Sequence, residues 1–222
     1  MVMANSKLRM KSLIMGPVQT NVYFLFLEGN ETESGYTPCI VVDPADNGKY
    51  IYDYLNENKL CAKLILLTHA HFDHIGGADE LKDLTKAPIY CYEHEKEMCT
   101  NAESNLSAFH NNPVTVSVSK FLKDGDEIES AGIKLKLLAT PGHTMGSCCY
   151  YIEDENVLIS GDTLFEGSVG RTDFPGGSMS SLLRSISEKI VILPDETLVL
   201  PGHGSSTTIL DEKMYNPYFN MV

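Results

Sequence analysis

The segment from His69 to His74 reads His-Ala-His-Phe-Asp-His and holds four side chains that can coordinate a metal ion. A neutral imidazole binds a metal through one ring nitrogen, and a carboxylate binds through its oxygens. Burial of these groups without partners would be costly, and a bound cation removes that cost. His69 and His71 are two residues apart, so in an extended loop they point the same way, whereas Asp73 and His74 turn toward a second point. This spacing favours two adjacent metal ions over one.

Further candidate ligands follow apolar runs elsewhere in the chain. His69 follows K-L-I-L-L-T, His143 follows L-K-L-L-A-T-P-G, Asp162 follows N-V-L-I-S-G, and His203 follows T-L-V-L-P-G. Such runs predict buried strands, and functional side chains are commonly placed on loops that a rigid scaffold positions. We therefore expect four strand ends to meet at one site. The seven predicted ligands are His69, His71, Asp73, His74, His143, Asp162 and His203. His94 and His110 lack this context, and we interpret them as ordinary core or surface histidines.

The elements that must position these residues alternate along the whole chain. Strands are predicted over 18–27, 39–42, 63–67, 89–92, 126–130, 133–139, 147–152, 157–160 and 197–200. Helices are predicted over 47–58, over 78–86, and from a cap at Ser178 or Ser180 to about residue 190, with helical turns near 95–99 and 211–214. Mixed strands and helices predict an α/β (α+β) sandwich. No linker or low-complexity stretch divides the chain, so residues 1–222 are expected to form a single domain.

Composition excludes several classes of partner. The chain has 30 acidic and 17 basic side chains and a formal net charge of −13. That charge repels phosphate backbones and anionic lipid, so we expect neither nucleic acid nor a membrane as a partner. No run approaches the roughly 20 apolar residues that span a bilayer, and Leu13 to Met15 is too short for a signal-peptide core. We expect a cytoplasmic protein whose six cysteines, which include no Cys-x-x-Cys pair, are reduced.

The sequence resembles the metallo-β-lactamase fold superfamily. The resemblance rests on T-H-A-H-F-D-H-I-G-G (68–77), P-G-H-T-M-G-S (141–147), S-G-D-T (160–163) and P-G-H-G (201–204). Within the superfamily it looks most like the glyoxalase II-like branch, through F-E-G-S-V-G-R-T-D-F-P-G-G (165–177), T-T (207–208) and the closing E-K-M-Y-N-P (212–217).

This resemblance implies a four-layer αββα sandwich with metals at one edge of two packed sheets. It implies that His69, His71 and His143 hold a first metal, that Asp73, His74 and His203 hold a second, and that Asp162 bridges them. No cysteine matches the second-site cysteine that many β-lactamases of this fold carry, so β-lactam cleavage is not expected. The superfamily's RNA nucleases are disfavoured by the acidic surface. Full-length glyoxalase II enzymes carry a C-terminal helical substrate domain, which the short segment after His203 cannot hold.

The implied activity is binuclear metal-dependent hydrolysis of a small-molecule thioester or ester. Coordination of water to a metal lowers its pKa from above 15 to about 7, so hydroxide can attack an acyl carbon at neutral pH. Asp73 is expected to orient the nucleophile, and Asp162 to hold both metals. Zinc suits this ligand set and tolerates a thiolate leaving group, and iron or manganese also suits it.

One alternative from another class stays open. Persulfide dioxygenases also resemble this sequence, including a G-R-T-D-F segment like residues 170–174. They hold a single iron at the positions that match His69, His143 and Asp162, and a two-histidine, one-carboxylate site suits oxygen activation. A non-catalytic binding protein is disfavoured because all seven ligand positions are intact.

Arg171 and Asp173 allow two interpretations. They form a salt bridge that braces the loop near the metals, or Arg171 contacts a carboxylate of the substrate. Neither residue type nor spacing decides between these, and Arg171 and Asp173 are both candidate site residues.

Overall fold

The computed structural model describes residues 7–110 and 113–221, and the side chains of Asn220 and Met221 are not described. The strands are β1 Leu8–Met15, β2 Thr20–Leu27, β3 Thr37–Val42, β4 Leu60–Leu66, β5 Ile89–Tyr92, β6 Lys120–Leu122, β7 Glu127–Ser130, β8 Ile133–Ala139, β9 Cys148–Ile152, β10 Val157–Gly161, β11 Leu164–Phe165, β12 Ser168–Val169, β13 Leu198–Pro201 and β14 Thr207–Thr208. The α-helices are α1 Gly48–Glu57, α2 Phe72–Ile75, α3 Ala78–Thr85, α4 Lys96–Thr100, α5 Met179–Ser185 and α6 Ile209–Tyr215. A π-helical turn, Ile186–Ile190, continues α5, and short 3₁₀ helices cover Glu93–Glu95, Ser107–His110, Glu153–Glu155 and Pro217–Met221.

Two six-stranded sheets form the centre of the molecule. The first has the order β1-β2-β3-β4-β5-β6, and the second has the order β14-β13-β10-β9-β8-β7. Strands β3 to β6 run parallel to one another, as do β10 and β13, while the other neighbours within these two sheets are antiparallel. The β11–β12 pair forms a separate small hairpin.

Three apolar layers hold the sheets and helices together. Neighbouring residues of a strand point to opposite faces of its sheet, so Leu25 joins the layer between the two sheets while Phe24 joins the layer beneath α1 and α3. On the far side, Leu158 of β10 packs in one cluster with Leu182 of α5 and Ile209 of α6. Helices therefore cover both outer faces, and the expected αββα sandwich is confirmed.

The helix boundaries follow from side-chain caps. Asn47 Oδ1 accepts a hydrogen bond from the Tyr50 backbone N–H at 3.0 Å at the start of α1. Ser178 Oγ accepts one from the Ser181 N–H at 3.3 Å, which identifies Ser178, rather than Ser180, as the cap of α5. Such caps satisfy backbone donors that have no partner inside the helix.

The cysteines and the helix lengths bear on two expectations from the sequence. All six cysteines are free thiols, and five of them are buried. Within residues 7–110 and 113–221, no helix has both the length and the apolar character needed to cross a bilayer.

Candidate metal centre

The candidate site lies where four strands end at one edge of the sandwich. The chain leaves β4 and reaches His69 three residues later, and it leaves β8, β10 and β13 shortly before His143, Asp162 and His203. Helix α2 begins after His71 and carries Asp73 and His74 in adjacent positions. The bridge between Thr20 and His203 ties the start of β2 to the last ligand loop. The structure therefore brings all seven candidate ligands together at this edge, as the strand ends predicted.

These residues form three overlapping groups in which the possible ligand atoms lie within 4.8 Å of one another. The groups are His69, His71 and His143; His69, His74 and Asp162; and Asp73, His74 and His203. Asp162 contacts both halves of the site: Oδ2 lies 3.4 Å from His143 Nε2, and Oδ1 lies 3.5 Å from His74 Nε2. His203 Nε2 lies 3.3 Å from Asp73 Oδ2. No cysteine belongs to any of these groups of described residues.

The inner atoms of the cluster fit a cation. His74 Nε2 and Asp162 Oδ1 are fully buried and have no hydrogen-bond partner among the described residues. Native proteins rarely leave buried polar atoms unpaired, because loss of their hydration costs about 1–3 kcal/mol each. Imidazole nitrogens and carboxylate oxygens are the donor set that zinc, iron and manganese accept. The donor set and the two unpaired atoms together indicate a metal-binding site.

The outer ring nitrogens of four histidines face hydrogen-bond acceptors. His74 Nδ1 lies 2.9 Å from Asp43 Oδ2, and His69 Nδ1 lies 3.2 Å from Thr68 Oγ1. The backbone oxygens of Arg171 and Val18 lie 2.8 Å and 3.1 Å from the Nδ1 atoms of His143 and His203. An acceptor at Nδ1 holds the proton there and leaves Nε2 free to coordinate, an arrangement that recurs around metal-ligating histidines.

Electrostatics divide the site into two halves. Burial, reinforced by His143 and His74, lowers the pKa of His71 to about 3, and burial likewise lowers the pKa of His69. Burial also disfavours the cationic form of His74, but the carboxylates of Asp73 and Asp162 outweigh it and raise its pKa to about 9. The first half thus offers neutral imidazoles, and the second offers carboxylates that attract positive charge.

The P-G-H sequence at 201–203, where β13 ends, contains a glycine because that position lies against the candidate ligands. A Cβ atom at Gly202 would lie 2.2 Å from Asp162 Oδ1 and 2.8 Å from His74 Cε1. Real Cβ atoms do not approach other atoms that closely, so a side chain there would displace two of the candidate ligands.

Asp43 and Glu95 were not predicted from the sequence, and both are buried carboxylates next to the ligands. Asp43 Oδ1 accepts from the Thr68 N–H at 2.8 Å, and its Oδ2 accepts from Thr68 Oγ1 at 2.7 Å in addition to facing His74. Glu95 accepts hydrogen bonds from the Ala70 N–H, the Thr144 hydroxyl and the Gly146 N–H at 2.6–2.9 Å. Asp43 directly follows β3 and precedes a proline, the one sequence signal that could have drawn attention to it.

A cavity of about 550 Å³ opens over the cluster. Phe165, on the β11–β12 hairpin, and Phe174 form part of its wall. The hairpin is held from behind by Glu212, which accepts from the Gly167 N–H, and by Asn216, whose amide donates to the Ser168 carbonyl at 3.0 Å. The closing E-K-M-Y-N-P segment therefore braces one wall of the cavity.

Arg171 also lines this cavity, and its guanidinium donates two hydrogen bonds to the Asp173 carboxylate, each 2.7 Å long. The salt bridge between Arg171 and Asp173 is therefore present in the structure. His110 lines the cavity and stacks on Phe72, and His94 stacks on Tyr92. Neither histidine belongs to a ligand group, as expected.

Comparison with known proteins gives relatives over nearly the whole chain. The chain is 40% identical over 215 residues to the probable metallo-hydrolase YqgX of Bacillus subtilis (strain 168), covering 96% of this chain and 98% of that protein. It is 33% identical over 183 residues to the hydroxyacylglutathione hydrolase GloC of Haemophilus influenzae, covering 81% and 86% of the two chains.

Solved structures show the same architecture. The crystal structure of the BLEG-1 B3 metallo-beta-lactamase matches with a TM-score of 0.87 and 36% identity, over 95% of this chain and 99% of that one. The di-iron-bound form of TTHA1623 matches with a TM-score of 0.79 and 32% identity, over 94% and 99%. ETHE1 from Myxococcus xanthus matches with a TM-score of 0.72 and 27% identity, over 94% and 83%.

The family model for the metallo-beta-lactamase superfamily matches residues 15–203, a range that begins at the end of β1 and ends at the last candidate ligand. The matched range includes all seven residues of the cluster. This chain belongs to the metallo-beta-lactamase superfamily, and its relatives include metallo-hydrolases.

Proposed function

We propose that this chain is a binuclear metal-dependent hydrolase, a thioesterase of glyoxalase II type that acts on a small acyl-thiol. The observation that carries the proposal is the position of Asp162 between two complete ligand groups. Its two oxygens reach His143 on one side and His74 on the other, at 3.4 Å and 3.5 Å. A carboxylate in that position can hold two cations at once.

The proposed ligands follow from these groups. His69, His71 and His143 would hold one cation, Asp73, His74 and His203 would hold the other, and Asp162, which lies near His143 and His74, would be shared. When bound, the cations supply Lewis acidity, which polarises an acyl carbonyl and lowers the pKa of water to about 7. We propose zinc as the metal, with iron or manganese also suited to this donor set. The similarity to TTHA1623 in its di-iron-bound form supports a site for two metals.

The chain's own residues orient the reactants. Asp73 Oδ2 accepts a hydrogen bond from Thr20 Oγ1 at 2.8 Å, so its carboxylate is fixed at the floor of the cavity, where it can orient the attacking water. Phe165 and Phe174 line the space beside the ligands and exclude bulk water from the acyl group. In the overall reaction the oxygen of water bonds to the acyl carbon, the carbon–sulfur bond breaks, and the leaving sulfur gains a proton.

Two relatives support hydrolysis as the reaction class. YqgX is named a probable metallo-hydrolase and GloC a hydroxyacylglutathione hydrolase, and the second name describes thioester cleavage in that protein. We propose a small-molecule substrate for this chain and a cytoplasmic location, with neither nucleic acid nor a membrane as a partner.

The second candidate is a mononuclear iron persulfide dioxygenase that uses His69, His143 and Asp162. The convergence of Asp73, His74 and His203 favours the binuclear proposal, because a mononuclear enzyme needs no second complete ligand group. Persulfide oxidation nevertheless uses the same edge of the fold, so the two reactions must be separated by assay.

The test compares two reactions of one metal-loaded preparation. We expect thioester hydrolysis at the same rate with and without dissolved oxygen, and no oxygen uptake with a glutathione persulfide. Oxygen uptake with the persulfide and no thioester turnover would refute the hydrolase proposal. A β-lactam belongs in the same panel because of the similarity to BLEG-1, and we expect no cleavage of it.

A further inference from the structure

The cavity over the metal centre is largely apolar beyond the ligands themselves. Side chains from separate parts of the chain line it: Val18, Phe72, Leu106, Phe165, Val169 and Phe174. Its volume of about 550 Å³ falls within the range of roughly 300–1,000 Å³ typical of small-molecule sites. An apolar wall of this size accommodates an acyl chain or an uncharged thiol.

The positive charge of Arg171 at the rim of the cavity is paired with a carboxylate of the protein itself. Arg171 is the one arginine or lysine among the described residues that line the cavity. Both of its hydrogen bonds to Asp173 are 2.7 Å long, and its guanidinium carbon lies 3.9 Å from the centre of the Phe174 ring. Both charged side chains are exposed, and the paired bonds orient the guanidinium plane toward Asp173 while the aromatic face below it restrains the side chain further. The guanidinium is therefore already engaged when a substrate arrives.

We propose that the cavity selects thioesters or esters whose leaving group carries no negative charge, and that Asp173 is a specificity-determining residue. This inference rests on the proposed hydrolase function and names its substrate class. A carboxylate at the far end of the leaving group would lose hydration against the apolar wall, and it would meet a guanidinium whose charge Asp173 offsets. An uncharged leaving group has neither disadvantage.

The first experiment uses two substrates with the same acyl group and the same two-carbon spacer. S-butyryl-N-acetylcysteamine has an uncharged end, and S-butyryl-3-mercaptopropionate ends in a carboxylate. For the metal-loaded wild-type protein we expect kcat/KM to be about 10-fold higher for the uncharged substrate. The difference should appear in KM rather than in kcat, because the lost hydration of the carboxylate weakens substrate binding. Equal values, or a preference for the carboxylate, would overturn the inference.

The second experiment changes the charge at the rim. Asp173→Asn leaves Arg171 unmatched, and we expect KM for the carboxylate substrate to fall about 3- to 5-fold, a small effect because the charge pair is exposed and screened by water. The ratio of the two kcat/KM values should therefore shift toward the carboxylate substrate. Arg171→Gln makes the opposite change and should raise KM for the carboxylate substrate. Unchanged KM values in both variants would overturn the role of Asp173.

A matched control separates local charge from net charge. Asp154→Asn removes the same charge from an exposed position between β9 and β10, and we expect it to leave the substrate preference unchanged. An equal shift in this variant would show that Asp173 is not the determinant. If the metal-loaded protein hydrolyses neither thioester, the proposed thioesterase function fails and this inference fails with it. If it prefers the carboxylate substrate, only this inference fails.

Discussion

The carboxylate of Glu95 accepts a hydrogen bond from the backbone N–H of Ala70 at 2.8 Å, and Ala70 lies between the candidate ligands His69 and His71. The other oxygen of the same carboxylate accepts from the Thr144 hydroxyl and the Gly146 N–H, just after the candidate ligand His143. One buried side chain therefore fixes the two loops that supply the first group of histidines. Burial raises the pKa of Glu95 despite these hydrogen bonds, so they are needed to stabilise the carboxylate.

We expect Glu95→Gln to loosen both loops. Glutamine offers one acceptor oxygen where three donors converge, and its NH₂ group must face a donor on one side. An unpaired buried donor costs about 1–3 kcal/mol, so the free energy of unfolding of the metal-free protein should fall by that amount in urea titrations. Metal affinity at the His69, His71 and His143 group should also fall.

The matched control is Glu97→Gln, an exposed residue of α4. It makes the same chemical change two residues away and should alter neither stability nor metal affinity. Wild-type stability and wild-type metal affinity in Glu95→Gln would show that the two loops do not depend on this carboxylate.

Asp43→Asn is expected to impair the second metal group through His74. The amide oxygen can still accept from Thr68, but the amide nitrogen then faces His74 Nδ1 and favours the tautomer with its proton on Nε2, the coordinating atom. Loss of such an outer partner lowers metal affinity about 10- to 100-fold. Asp43 has a φ of 50°, a region that asparagine tolerates, so the backbone should not be disturbed.

Competition with a metal chelator measures this effect site by site. The variant should retain the metal ion of the first group, and it should release the ion of the second group, which contains His74, at a lower chelator concentration than the wild-type protein does. Asp53→Asn on the exposed face of α1 serves as the control. Equal chelator resistance in Asp43→Asn and the wild-type protein would refute the proposed role of Asp43.

The histidines themselves provide a direct contrast between ligand and non-ligand. His71→Ala should lose metal and most activity, because its Nδ1 lies 2.9 Å from His143 Nε2 within the first group. His94→Ala removes an exposed imidazole that stacks on Tyr92 outside these groups, and it should keep both metal and activity. A fully active His71→Ala variant would contradict the ligand assignment.

Asn216→Ala should affect substrate binding more than metal binding. Its side chain donates to the Ser168 carbonyl and to Glu212, so its loss frees the hairpin that carries Phe165. We expect a free energy of unfolding lower by about 1–3 kcal/mol and a higher KM, with the metal content unchanged. The neighbouring Tyr215→Ala, at a 72% exposed position, should leave all three quantities as they are. Loss of metal from Asn216→Ala would contradict this account.

Local sequence predicted most of the elements and the seven clustered residues. The predicted strand 157–160 corresponds to β10 at Val157–Gly161, and the predicted helix 47–58 corresponds to α1 at Gly48–Glu57 with Asn47 and Asn58 as its caps. These elements have clear apolar periodicity or a local cap, and neither signal requires knowledge of distant contacts. The clustering of the seven candidate ligands could be predicted because the loops that carry them follow such elements.

The parts that were missed depend on contacts between distant residues. Strand β1, Leu8–Met15, lies at the edge of its sheet and is only partly buried, although it pairs along its whole length with β2. The apolar alternation of Leu8 to Lys11 breaks at Ser12, so its own sequence gives a weak strand signal. Strand β6, at the other edge of the same sheet, is only three residues long. Glu95 lies in a polar segment and resembles a surface residue until its partners 25 to 51 positions away are known.

The most direct test of the account is the metal-to-protein ratio of untagged protein, measured by elemental mass spectrometry. The ligand groups joined by Asp162 predict two metal ions per chain. We further expect that removal of the ions with a chelator abolishes thioester hydrolysis and that added Zn²⁺ restores it. A ratio of one iron per chain that added metal does not raise would contradict the binuclear centre and favour oxygen-dependent persulfide chemistry.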